Sequence, residues 1–280
     1  TGVVTVNQRT PSNSGVVPTA RLGARRELDD GLYVRTAAYG GFRAPTLNEL
    51  YRPFRLGNNI TEANPNLTPE KLYGAEVGFG QSADSFGWDV TGFYNQLHGA
   101  ITNVTVGHGP LVVPGLGTVP AGGLLIQRQN AGDINAYGIE SEGHWNATDW
   151  LTFTTAFDYV DARVQGGTIA PQLTGKRPSQ APRLTLTGGF WATPFDRLTL
   201  TANVRYEGTR FADDQNTLAL APATTVDARI SYRLWNGLHA YVAGDNLLNS
   251  RVATTESADL VPVVNYAAPR ILRLGISWTE

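Results

Sequence analysis

The sequence predicts an all-β chain, an antiparallel up-and-down transmembrane β-barrel. Three observations lead there. Polar and apolar residues alternate over long segments, short and long connections alternate strictly, and the tryptophans gather near the short turns.

The composition sets the bounds. At 280 residues and a formal net charge of −2, the chain has no basic footprint for nucleic acid. It has no cysteine, which removes disulfide frameworks, thiolate metal sites and cysteine nucleophiles together. No apolar run approaches the ~18 residues of a membrane-spanning helix. No charged-then-apolar leader opens the sequence, which begins at Thr1 and lacks methionine throughout. A piece of a longer chain is the expectation.

About twelve strands are expected, over roughly 2–9, 18–28, 31–42, 70–82, 86–105, 123–146, 150–164, 182–193, 197–211, 223–235, 238–249 and 268–279. The alternation is clearest toward the C-terminus. Leu198, Leu200, Ala202, Val204 and Tyr206 share one face, and Thr199, Thr201, Asn203, Arg205 and Glu207 share the other. Val226, Ala228, Ile230 and Tyr232 alternate with Asp227, Arg229, Ser231 and Arg233, and Leu272, Leu274, Ile276 and Trp278 with Arg273, Gly275 and Ser277. Many of these segments reach ten residues, the length of a tilted transmembrane strand (about 9–11) rather than a globular one (about 5–6).

Short turns fall near Asp29-Asp30, between Ser82 and Ser85, between Ala147 and Asp149, between Thr193 and Asp196, and at Asn236-Gly237. Long loops fall near 10–17, 43–69, 106–122, 165–181, 212–222 and 250–267. One rim therefore carries turns and the other carries loops, as in outer-membrane barrels. Trp88, Trp145, Trp150, Trp191 and Trp235 lie beside the short turns, and Trp278 belongs to the same rim. Indole prefers the membrane–water boundary, so these six residues read as a membrane-interface girdle. Arg205, Glu207, Asp227, Arg229, Arg233 and Arg273 on the polar faces need a wide lumen, filled by water or a polar plug.

Several motifs recur in a fixed order. Gly41-Phe42-Arg43-Ala44-Pro45-Thr46-Leu47-Asn48-Glu49-Leu50-Tyr51 is followed by Asn64-Pro65-Asn66-Leu67-Thr68-Pro69-Glu70. Then come Asn130-Ala131-Gly132, Tyr137-Gly138-Ile139-Glu140, Gly175-Lys176-Arg177-Pro178, Ala181-Pro182-Arg183, Asp245-Asn246-Leu247-Leu248-Asn249 and Ala268-Pro269-Arg270. In this order and spacing they resemble the TonB-dependent outer-membrane receptors of the siderophore and cobalamin type. The resemblance implies an N-terminal plug, a box that binds TonB, and a barrel of about 22 strands. It therefore implies that residues 1–280 are the C-terminal portion of the barrel, without the N-terminal plug domain. It further implies a bacterial outer-membrane transporter. Such a protein binds a ferric siderophore or similar bulky nutrient at its extracellular loops. It admits the ligand through the plugged barrel with energy from the TonB complex, and it is surrounded by outer-membrane lipid. No enzyme, catalytic residue or cofactor is implied.

In the 43–69 loop, Arg43, Tyr51, Arg52, Phe54 and Arg55 are the candidate ligand contacts, because arginine and aromatic rings suit an anionic or aromatic chelate. Arg43, Pro45, Asn48 and Glu49 also read as loop structure, with Pro45 and Pro65 fixing its turns. Asp158, Asp161, Asp213 and Asp214 do not supply the six to eight oxygens of a calcium site. His98, His108, His144 and His239 lack metal-ligand spacing, so no metal site is expected. Two rivals remain. A self-contained twelve-stranded barrel, acting as a passive channel or a phospholipase-like enzyme, requires the first and last strands to pair. A soluble β-sandwich requires Leu198, Leu200 and Val204 to be buried.

Overall fold

The computed structural model describes residues 14–256 and 263–278. Eleven antiparallel strands form one sheet: β1 (Ala20–Glu27), β2 (Leu32–Arg43), β3 (Glu70–Ser82), β4 (Phe86–His98), β5 (Asp133–Thr148), β6 (Leu151–Gln165), β7 (Leu184–Phe195), β8 (Leu198–Glu207), β9 (Ala223–Trp235), β10 (Leu238–Asp245) and β11 (Ile271–Trp278). Each pairs with its neighbours in chain order, the up-and-down connectivity expected from the sequence. The expected strand at 2–9 lies outside the described residues. Among the described residues β1 pairs only with β2, and β11 only with β10, so the sheet has two free edges.

Register sorts the side chains. Arg35, Gly78, Thr91, Glu140 and Asp158 align across β2 to β6 on one face. Arg35 there donates to Asp89 at 2.7 Å and to Thr91 at 2.6 Å, and Tyr33 donates to Asp89 at 3.0 Å. The opposite face carries Val77, Ile139, Val204, Ile230, Val242 and Leu274, all exposed, with Leu274 at 83%. A soluble sandwich would cover these residues, and nothing among the described residues does.

The sheet therefore has no core of its own. Among the described residues the two buried apolar clusters lie at the long-loop end: Val104, Ala131, Ala170 and Leu173 with Val164 from the end of β6 in one, and Ile60, Val113 and Val119 in the other. The connections fold into a four-stranded sheet built from Phe54–Leu56, Asn59–Glu62, Leu124–Asn130 and Ile101–His108.

This second sheet corrects two expectations. The segments 86–105 and 123–146 are not single strands. Each breaks at a glycine, Gly99 with φ of 63° and Gly132 with φ of 116°. The breaks lie side by side, where Ala100 donates to the Gly132 carbonyl at 2.9 Å and Ala131 to that of Ala100 at 3.0 Å. Positive φ is open to glycine at little cost, so both chains turn out of the main sheet together. Alternation continues through both halves, which is why the break is hidden in the polarity pattern.

All six tryptophans lie at the short-turn end, but they do not share a face. Trp88 and Trp145 occupy the apolar face, packed on Phe79 and Phe153 at 5.4 and 5.8 Å between ring centroids. Trp278 joins them there, opposite Leu238. Trp191 does not: it pairs with Thr152 and Thr201 on the polar face. A period-two strand can send only one of two adjacent aromatics outward, and here Phe190 takes that side. Trp150 sits in the turn before β6, and Trp235 meets Leu238 past a register shift.

Candidate functional site at the long-loop rim

The signature loop builds a short helix, α1 (Leu47–Tyr51). Thr46 and Glu49 form a capping box, each satisfying the other's backbone N–H. Arg43 then grips Glu49 with two hydrogen bonds of 2.9 and 3.1 Å and also donates to Glu70. Glu70 is buried, and its other oxygen accepts from the Ile101 N–H at 2.6 Å. Burial works to raise the pKa of Glu49, but hydrogen bonds from Arg43 and Thr46 outweigh it and hold Glu49 below the usual carboxylate range.

Arg43 acts as a clamp within the loop: three of its N–H donors go to two carboxylates of its own chain. Tyr51 ends α1, half-buried. Phe54 lies under the Arg128 guanidinium at 5.1 Å, and Arg55 donates to the Thr118 carbonyl at 2.7 Å. Arg52 is exposed, and among the described residues its side chain makes no hydrogen bond or ion pair.

A cavity of about 540 Å³ opens beside this loop, within the range of small-molecule sites. Asn48, Thr102, Asn103, Arg128, Arg177 and Asp214 supply its polar wall, and Ile101, Ile134 and Leu173 its apolar one. None of Arg43, Tyr51, Arg52, Phe54 and Arg55 lines it. Arg128 donates to the carbonyls of Asn48 and Arg52, closing the end of α1. Arg177 donates to the carbonyls of Ala181 and Thr209 at 2.9 and 3.0 Å. Neither arginine has an ion-pair partner among the described residues. Burial, with Arg183 and Arg163 nearby, depresses the Arg177 pKa. The Thr102 hydroxyl is buried in the wall without a hydrogen-bond partner.

Asp161, Asp213 and Asp214, noted in the sequence, have partners within the chain. Asp161 pairs with Arg163 and Arg183 at 3.1 and 2.5 Å. Asp213 accepts from the N–H groups of Thr217 and Leu218. Asp214 accepts from the Thr105 N–H and hydroxyl at 3.2 Å each, and burial raises its pKa. Arg128 and Arg177 line the cavity and were not among the candidate ligand contacts drawn from the sequence. Their signal was present: Arg177 lies in the Gly175–Pro178 motif and Arg128 sits two residues before Asn130-Ala131-Gly132.

Comparison with known proteins places this geometry. Residues 1–247 match the family model described as TonB dependent receptor-like, beta-barrel. A curated relative, the vitamin B12 transporter BtuB of Photobacterium profundum, is 26% identical over 262 residues, covering 92% of this chain and 37% of its own length. A solved variant of the ferric enterobactin receptor PfeA from Pseudomonas aeruginosa, in complex with enterobactin, superposes with a TM-score of 0.69 at 20% identity. It covers 93% of this chain and 40% of that one. The ferric yersiniabactin uptake receptor FyuA of Yersinia pestis gives 0.65 at 18%, over 91% and 36%. The chain thus spans under half the length of these relatives. From the order of its strands and the match over most of its length, the chain belongs to the TonB-dependent receptor family of bacterial outer-membrane β-barrels, receptors rather than enzymes.

Proposed function

We propose that this sheet is the C-terminal part of the wall of a larger receptor barrel, which takes up an anionic ferric chelate. That β1 and β11 do not pair with each other, so that the described strands do not close on themselves, supports the larger barrel. An unpaired strand edge leaves a row of N–H and C=O groups unsatisfied, which hydrocarbon does not tolerate. Further strands close the sheet on both sides. In the complete protein a plug fills the lumen, and the TonB complex supplies the energy that opens a path. The tryptophans of the short-turn rim mark the periplasmic boundary, with Trp88, Trp145 and Trp278 facing lipid.

The observation that carries the ligand class is the pair Arg128 and Arg177. Both line the rim cavity and neither is neutralised by a carboxylate among the described residues. A ferric siderophore with net negative charge and several acceptor oxygens fits such donors. Tyr51, Arg52, Phe54 and Arg55 stand outside the cavity on the same loop and form the outer approach to it. A corrinoid is the second reading, favoured by the name of the curated relative.

The test is a titration of the full-length receptor in detergent with ferric enterobactin and, separately, with cyanocobalamin. The proposal predicts saturable binding of the ferric chelate, weakened about tenfold or more by Arg177→Gln. Binding of cyanocobalamin alone, unaffected by that variant, contradicts it.

A further inference from the structure

The apolar face holds a groove that ligand uptake does not use. Its volume is about 640 Å³. Ala75 and Gly92 form its floor. A Cβ placed on Gly92 would meet nothing within 4 Å, so the missing side chain leaves open space rather than relieving a crowded contact. Val77 and Ile139 flank Gly92 through direct pairing on either side. Tyr94 and Tyr137, paired with each other, form the upper wall, and Tyr159, paired with Ile139, closes the side.

The groove has a polar end. The Tyr94 hydroxyl donates to Asn135 at 3.3 Å and that of Tyr137 to Asp161 at 3.2 Å. Further toward the long loops, the same face carries Lys71 and His98, which pair directly across β3 and β4. His98 is held by Asp133 at 2.8 Å, whereas Lys71 is exposed and has no ion-pair partner among the described residues. From Gly92 to His98 the strand runs about 20 Å at ~3.4 Å per residue. A barrel tilt of ~40° makes that about 15 Å of depth, half of a ~30 Å hydrocarbon core. The floor therefore lies one leaflet below the cation.

The geometry points to a lipid of the outer leaflet bound here, with one acyl chain in the groove over Gly92 and a head-group phosphate at Lys71. Val77, Ile139 and the tyrosine rings supply apolar contact around Gly92, Gln96 and Asn135 lie between them and the cation on the same face, and the Lys71 ammonium supplies the counter-charge for the head group. Lipid contact follows from the family; a retained, phosphate-dependent lipid at this place does not.

The probe is diphosphoryl lipid A, added to delipidated full-length receptor in detergent and read by native mass spectrometry. Wild type retains one lipid. Gly92→Leu fills the groove and lowers retention by about tenfold or more. Gly188→Leu is the control, since it lies on the same face and its Cβ meets only Val204 at 3.7 Å. It leaves retention unchanged. Lys71→Gln lowers retention of diphosphoryl lipid A but not of the dephosphorylated form. If Gly92→Leu fails to fold, Ala75→Leu takes its place. Equal retention by wild type and the filled groove overturns the proposal, as do equal loss in the control and indifference to the phosphate. Displacement by inorganic phosphate alone would assign a phosphate site instead of a lipid site, and also overturns it.

Discussion

Thr68 and Asn130 exchange two hydrogen bonds: the Thr68 N–H donates to Asn130 Oδ1 at 2.9 Å, and Asn130 Nδ2 donates to the Thr68 carbonyl at 3.0 Å. The same Nδ2 reaches the Gly99 carbonyl at 2.6 Å. One side chain thus joins the segment ending in Glu70 to the break at Gly99 and Gly132. Two motifs more than sixty residues apart are halves of one fastener. Asn130→Ala should cost about 2–4 kcal/mol locally, from three lost bonds at ~1 kcal/mol each with some carbonyls left unpaired. Hydrogen exchange at Ala100 and Ala131 should accelerate while exchange in β8 and β9 stays unchanged.

The Arg43 clamp gives a second prediction. Arg43→Ala leaves Glu70 buried with no cation, a loss of about 3–5 kcal/mol. Thermal melting of the variant should show the rim loosening. Arg43→Lys should rescue only part, because an ammonium cannot fork onto Glu49.

The pH dependence follows from Glu49. Its pKa is below the ordinary 4.5 in the folded loop, so the folded state binds the proton more weakly than the open one. The stabilisation is complete above about pH 4.5 and is lost as pH falls through the depressed value. Loop protection from protease should decline in that acid window in wild type. Glu49→Gln should be less protected at neutral pH and flat across it.

Much of the barrel was legible because a transmembrane strand obeys one simple rule, alternation, over ten or more residues. The strands from Leu198 to Trp278 follow it closely. Alternation was silent where both states alternate. It ran through Gly99 and Gly132 without a break, and it placed Trp191 at the correct rim but could not show its face. The site was less legible. Arg43, Tyr51, Arg52, Phe54 and Arg55 were selected by residue type within one loop, whereas the cavity is assembled from segments distant in sequence, among them those around Asn48, Thr102, Arg128, Arg177 and Asp214. Residue type also cannot tell a spent guanidinium from a free one. Arg43 and Arg52 differ only in where Glu49 and Glu70 stand.

Adjacent positions on β9 should respond oppositely to charge. Ile230 lies on the apolar face, 53% exposed, and Ser231 lies on the polar one. Ile230→Arg should cost about 2–4 kcal/mol at mid-membrane, and Ser231→Arg far less. Reversible unfolding of the full-length receptor in lipid vesicles reads the difference.

Residues 1–280 hold no cysteine, so single cysteines placed here in a full-length receptor cleared of any other cysteine report which face meets lipid. The most direct test labels Leu274→Cys and Arg273→Cys, neighbours on β11, in full-length receptor within native outer membranes. A lipid-phase thiol reagent should modify position 274 alone, and a small aqueous maleimide position 273 alone. Equal aqueous labelling at both positions would contradict a lipid-facing barrel wall.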